Sequence, residues 1–289
     1  MNSTKQPTGP HPFAGETVYF ATKHGKENVI APIFATIGMH CSSVKVDTDQ
    51  FGTFSGEVER VGSIRETLRK KIKAASKGAD SERFFLASEG SFVPHPLIGL
   101  IPSDLESLLF WDRKFDLEIY AEWLCTSPVH SEKTLGPKDD FRQALKILGF
   151  PEHAVIVHPE NSLKPIFKGL FEQRAVAQAM IDCFLASKTG RVVVANDLRA
   201  FCNPTRRKAI SQAGQVLIEK LQNFCPSCSY PGFAISRGVP GLPCSTCGET
   251  SQAAIAVIFE CVKCSYTEER QRPDGKKSIG PAECEHCNP

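Results

Sequence analysis

Short apolar runs alternate with stretches of helical period from residue 17 to residue 221. Residues 17–21 read as a strand, followed by a Gly-containing turn and a helix to about residue 37. Pro32 marks either a kink in that helix or its true first turn. A second strand is expected at 44–46, and a helix at 63–75, where Ser63-x-x-Glu66 is a capping box followed by Lys and Arg. Residues 84–87 read as a buried strand, and 107–111 pairs with 117–124 across Arg113-Lys114. Further on, the pattern predicts helices at 139–148, 171–186 and 205–221, with strands at 154–157 and 191–195. Strands alternating with helices imply an α/β domain over 13–221, a mixed sheet with helices on both faces. The first twelve residues are polar, rich in Pro, Gly and Thr, and are expected to form a loose tail.

The pattern changes at residue 222, where the last helix runs almost directly into a cysteine-rich segment. Four Cys-x-x-Cys pairs fall in the last 65 residues: Cys225/Cys228, Cys244/Cys247, Cys261/Cys264 and Cys284/Cys287. Each such turn points two sulfurs at one spot, and two turns complete a tetrahedral zinc site. The segment 222–289 is therefore expected to be a small zinc-ribbon-like module holding two structural Zn ions. Fifteen residues separate Cys228 from Cys244, thirteen separate Cys247 from Cys261, and nineteen separate Cys264 from Cys284. These gaps allow sequential pairing (first with second, third with fourth) or nested pairing (second with third, first with fourth), and sequential pairing is the expectation. Cys41, Cys125, Cys183 and Cys202 are scattered and read as small buried hydrophobes.

Charge changes the functional picture. The net charge is +2, but residues 222–289 hold six Lys/Arg and seven Asp/Glu. A tetrathiolate zinc centre is itself dianionic, so two of them bring the module to roughly −5. An acidic module of this kind suits a protein partner and argues against nucleic acid, whose readers present a basic face. No run of eighteen apolar residues occurs, and no apolar core of a signal peptide follows Met1. A cytoplasmic protein is expected, in which paired cysteines hold metal rather than disulfides.

Four polar segments stand where an α/β domain places its ligands. Thr22-Lys23-His24-Gly25-Lys26 follows the first strand and offers a hydroxyl and cations to phosphate. Glu57, Glu59 and Glu66 form an acidic stretch, of which Glu66 is a possible Mg2+ ligand as well as a cap. Ser88-Glu89-Gly90-Ser91-Phe92 closes an apolar strand, and Glu89 there suits a hard cation. His95 lies between Pro94 and Pro96 on a rigid loop. The segment from Asn196 to Arg207 opens the last helix, with Asp197 as a carboxylate, Arg199 and Arg206 as phosphate contacts and Thr205 as a cap.

The order of these segments resembles the inosine-triphosphate pyrophosphatase superfamily. Thr22 and Lys26 match its Thr/Ser-x-x-x-Lys phosphate loop, Glu66-Thr67-Leu68-Arg69-Lys70-Lys71 its Glu-containing helix, and Glu89-Gly90-Ser91-Phe92 its acidic strand end. Thr205-Arg206-Arg207-Lys208-Ala209 is similar to its Ser-His-Arg motif, with Thr205 standing where the His would be. The resemblance implies a Mg-dependent nucleotide or phosphate-ester hydrolase. Glu89 would hold the metal, assisted by Glu66 or Asp197, while Thr22, Lys26, Arg199 and Arg206 would bind phosphate. The whole chain is also similar to a bacterial family defined only as a domain of unknown function. That likeness rests on residues 49–54 and 86–92, on Asn203-Pro204-Thr205-Arg206 and on the final Cys284-x-x-Cys287-Asn288-Pro289. It implies no activity. The alternative to an enzyme is a non-catalytic ligand sensor whose zinc module binds a protein partner.

Overall fold

The computed structural model describes residues 9–23, 25–52, 61–95, 99 and 101–289. His24, Glu57 and Glu59 lie outside them. The first sheet has the order β2-β1-β3-β4-β5. Its strands are β1 (Thr17–Thr22), β2 (His40–Lys45), β3 (Phe84–Pro94), β4 (Pro102–Asp112) and β5 (Leu117–Cys125). β1 lies parallel to both β2 and β3, while β3, β4 and β5 form an antiparallel meander. β3 runs well past residue 87, where the apolar run stops, because its polar half pairs residue for residue with β4 as far as Pro94.

Helices cover both faces of this sheet. α1 (Glu27–Ala35) and α5 (Pro204–Gln222) pack Ile30, Phe34, Ile210 and Leu217 against Val18, Phe20, Phe84 and Phe110. α2 (Ile64–Ala75) packs Leu68 and Ile72 on the opposite face, against Phe85, Ala87 and Leu109. Alternate residues of β3 thus feed two different cores, as the two-residue period of a strand requires. The capping box on α2 forms as expected, with Ser63 Oγ accepting from the Glu66 N–H and Glu66 accepting from the Ser63 N–H. α5 is capped by Asn203, which accepts from the Arg206 N–H at 3.0 Å. Thr205, the expected cap, instead meets His153 Nε2 at 3.0 Å.

A second sheet, of order β6-β9-β7-β8, occupies the middle of the chain. It comprises β6 (Glu132–Leu135), β7 (Val155–Pro159), β8 (Phe167–Leu170) and β9 (Val192–Asn196), all antiparallel. α3 (Phe141–Ile147) and α4 (Gln173–Ala186) cover it, and Leu145, Val155, Val176 and Val194 share its separate core. The segment 13–221 therefore holds two sheets rather than one. Part of the expected N-terminal tail is fixed, since His11 Nε2 lies 3.0 Å from the Leu221 carbonyl at the end of α5; just beyond the tail, Phe13 is buried in the first core.

The C-terminal module is a three-stranded antiparallel sheet, β10 (Ala234–Pro240), β11 (Ala254–Glu260) and β12 (Thr267–Gln271). β10 runs between Cys228 and Cys244, β11 between Cys247 and Cys261, and β12 leads from Cys264 toward Cys284. Among the described residues, no helix is long and apolar enough to cross a membrane.

Candidate functional sites

The eight paired cysteines form two quartets. Cys225 and Cys228 meet Cys261 and Cys264, and Cys244 and Cys247 meet Cys284 and Cys287. The pairing is first with third and second with fourth, so both the sequential and the nested expectations are corrected. The reason is topological. Each antiparallel strand carries the chain from one end of the sheet to the other, so successive knuckles reach the two ends in turn.

The donor set fits zinc. A tetrahedron with Zn–S bonds of about 2.3 Å has an edge of about 3.8 Å. The sulfur pairs Cys225–Cys264 and Cys228–Cys261 stand 3.6 Å apart, Cys244–Cys287 3.9 Å and Cys247–Cys284 3.8 Å. A disulfide needs about 2.05 Å, and all eight are free thiols. Three knuckles repeat one hydrogen-bond pattern. The N–H groups of Cys225, Cys244 and Cys261 donate to the carbonyls of Tyr230, Glu249 and Tyr266 at 2.8–3.0 Å. The residue after each second cysteine, Ser229, Gly248 or Ser265, takes a left-handed φ of 55–77°. Backbone N–H groups of Ser227, Thr246 and Lys263 reach the first sulfur of each knuckle at 3.4 Å. His286 is not needed for either quartet.

The first quartet is built into the α/β domain. Tyr230 is buried with Phe13 and Phe110 in the first core, and Lys263 sits 4.1 Å from the centre of the Phe115 ring. Gly232, with φ +100°, passes so close to β5 that a Cβ there would stand 2.6 Å from Ile119 Cδ1.

A second constellation lies at the carboxyl end of β1. Ala21 pairs with Ala87, which brings Thr22 level with Ser88, and the following turn delivers Lys26. Lys26 Nζ donates to Ser88 Oγ at 3.0 Å, and both residues are buried. On the α2 face, Lys71 Nζ donates to the Ser88 carbonyl at 3.1 Å and forms an ion pair with Glu89. On the α5 face, Arg206 Nε donates to Glu106 Oε1 at 2.5 Å, with the two side chains only 2% and 1% exposed. The Arg206 Nη1 donates to the Leu198 carbonyl at 2.5 Å. Gly90 lets this pair lie across β3, since a Cβ would stand 2.5 Å from Arg206 and 2.6 Å from Glu106.

Asp104 stands two residues from Glu106 on the same face of β4, opposite Phe92. Its Oδ1 and the Oε2 of Glu106 are buried without a hydrogen-bond partner among the described residues. Burial, then the neighbouring Glu106 charge, push the Asp104 carboxyl up to about 7, against the pull of Arg206 and Lys26. Burial and the Arg206 charge hold the Lys26 ammonium down to about 8, against the Glu106 and Glu89 carboxylates. Buried groups with orphaned atoms and displaced pKa values gather at sites of chemistry. Two carboxylate oxygens on one face are also hard donors of the kind Mg2+ takes.

Of the sequence-derived candidates, Thr22, Lys26, Glu89 and Arg206 come together here, and three others do not. Glu66 is on the surface, and the Ser63 N–H and hydroxyl hold its carboxyl below the usual range. Asp197 is gripped by the Arg199 guanidinium at 2.5 Å and accepts the Gly169 N–H at 2.9 Å. Burial alone would raise the Asp197 carboxyl, but the Arg199 bonds outweigh it and hold it low. Arg199 is correspondingly committed to Asp197 and to a stack on Phe201. Nothing near Glu89 in the sequence neutralises it, and Lys71, 18 residues away, supplies the partner. Glu66 and Asp197 are engaged elsewhere, and the buried carboxylate oxygens without a hydrogen-bond partner among the described residues belong to Asp104 and Glu106. Both were missed, although the alternation Asp104-Leu105-Glu106 entering an apolar run places two carboxylates on one strand face.

A family profile described as Domain of unknown function (DUF6671) matches residues 70–289. No curated protein matches the chain.

Proposed function

The chain belongs to the DUF6671 family, and on that premise we propose that its α/β domain binds a small phosphorylated ligand and hydrolyses a phosphate ester in it, with the C-terminal module supplying two structural zinc ions. The observation that carries this reading is the convergence of Lys26, Lys71 and Arg206 with Glu89, Asp104 and Glu106 around Ser88 and Gly90. Open α/β sheets bind ligands beyond the carboxyl ends of their parallel strands, and this cluster has that position. The order of the Thr22, Glu89 and Arg206 segments, which resembles the inosine-triphosphate pyrophosphatase superfamily, supports the same chemistry.

Each residue has a distinct task. Lys26 gives its ammonium from Ser88 Oγ to a phosphate oxygen. Arg206, fixed by Glu106 and the Leu198 carbonyl, sets its positive charge toward the anion without having to reorganise. On the opposite, α2 face, Lys71 balances Glu89, so that carboxylate adds little repulsion to the bound anion. Asp104 Oδ1 and Glu106 Oε2 would hold a divalent cation such as Mg2+, which would neutralise phosphate oxygens and activate water. Closed quartets of cysteine leave the zinc ions no open position and therefore no part in the reaction.

The test is phosphate release from a panel of phosphate esters and anhydrides with Mg2+, for the wild type and Asp104→Asn. Turnover in the wild type that falls at least a hundredfold in the variant is expected. Absence of any turnover in the wild type, or equal turnover in both, refutes the reading.

A further inference from the structure

The polar face of β3 does not end at the charged cluster. Ser88, Gly90 and Phe92 stand on one face at two-residue intervals, in unbroken register with Leu108, Glu106 and Asp104 of β4. Phe92 is thus one strand step beyond the Arg206–Glu106 pair and directly across from Asp104. Its ring meets the imidazole of His130 with centroids 4.7 Å apart. Phe92, Ile101, Ser103 and His130 line a cavity of about 300 Å³. Phe92 is half-buried and His130 is exposed.

The loop that carries His130 is held from both sides. Asn203 donates to the Val129 carbonyl at 3.0 Å while capping α5, and Asn196 accepts the Ser131 N–H at 3.0 Å. The polar segment 196–207 therefore supports the aromatic wall as well as delivering Arg206. Burial lowers the His130 pKa, which favours the neutral ring.

From this juxtaposition, and resting on the phosphate-binding reading above, we propose that the Phe92–His130 slot receives the planar ring of a nucleoside phosphate whose phosphates lie at Lys26 and Arg206. Ser88 and Phe92 are four strand residues apart, or about 13 Å. That is the reach from a base to the terminal phosphates of a nucleoside triphosphate. An apolar, ring-lined slot on the same strand face as the Arg206–Glu106 pair matches a ligand that is planar at one end and anionic at the other. Stacking on an aromatic side chain accepts any base, because every base has a π-face.

Calorimetric titration of the full chain with Mg2+ tests this, using adenosine, guanosine, cytidine and uridine triphosphates beside inorganic triphosphate. Wild type is expected to bind at least one nucleotide about tenfold or more tighter than inorganic triphosphate. Phe92→Leu should bring that nucleotide down to the level of inorganic triphosphate and leave inorganic triphosphate itself unchanged. Equal binding of nucleotides and inorganic triphosphate by wild type overturns the ring slot and leaves the phosphate site standing. So does a Phe92→Leu variant that weakens both ligands alike. If wild type binds none of the five, the phosphate reading falls and the slot with it.

Discussion

Tyr230, five residues beyond Cys225, donates its hydroxyl to Asp112 Oδ2 at 2.6 Å, inside the core of the α/β domain. Arg83 grips the same carboxylate from the other side at 2.7 Å. The first cysteine quartet is in this way fastened to the last residue of β4, while the second has its own small core of Leu242 and Ile279.

The two metals should therefore differ in what they stabilise. Tyr230→Phe is expected to cost about 1–3 kcal/mol, because it removes one hydrogen bond to a buried carboxylate. Calorimetric unfolding should show the loss in the transition of the α/β domain, not in a separate module transition. Ser at Cys225 should lower that same transition, whereas Ser at Cys247 should leave it within about 0.5 kcal/mol of wild type. Equal effects of the two cysteine variants would contradict this division.

The interleaved pairing can be read by metal analysis. Wild type should carry two zinc ions per chain. The double variant Cys225→Ser/Cys261→Ser should keep one, since both ligands belong to one quartet. Cys225→Ser/Cys244→Ser should keep none. Sequential pairing would reverse the outcome for these two doubles.

Asp104 gives a signed pH effect. Its carboxyl stands near 7 in the folded chain against 3.8 for the free group. Between about pH 4 and pH 7 the folded state holds a proton that the unfolded state has released, so stability falls as pH rises through that window. In Mg-free buffer, Asp104→Asn should flatten this decline and be about 1–3 kcal/mol more stable than wild type at pH 8. Denaturant melts at several pH values measure it, and parallel curves would sink the assignment. A variant that gains stability while losing turnover is the pattern expected of a functional group.

Gly90→Ala should cost about 1–3 kcal/mol by overpacking, since its Cβ lands on the buried Arg206–Glu106 side-chain pair. Phosphate-ester turnover should fall along with stability. Gly280→Ala, whose Cβ meets nothing within 4 Å, is the control.

The local signals in the sequence were good guides to local structure. The Ser63 box, the helix leading to the first knuckle and the paired strands around Arg113-Lys114 depend on neighbours a few residues apart, and all are present. β6 and β8 escaped notice because each has only four residues and draws its stability from β9 and β7. Lys26, Glu89 and Arg206 were legible as polar residues at element ends. Their partners were not. Lys71 is 18 residues from Glu89 and Glu106 is 100 from Arg206, and no local pattern encodes contacts over such separations. The metal pairing was misjudged for a related reason, because gap length says nothing about how often a chain crosses its own sheet.

That crossing sets a scale for the module. Seven residues of β10 and seven of β11 run between the quartets, which places the two metals roughly 20–25 Å apart. A metal in the first quartet would be a rivet in the body of the protein. One in the second would ride at the far end of a hydrogen-bonded strut, where a paramagnetic or luminescent ion would replace it without disturbing the near site. The pair then becomes a molecular ruler whose length reports the integrity of the sheet between them.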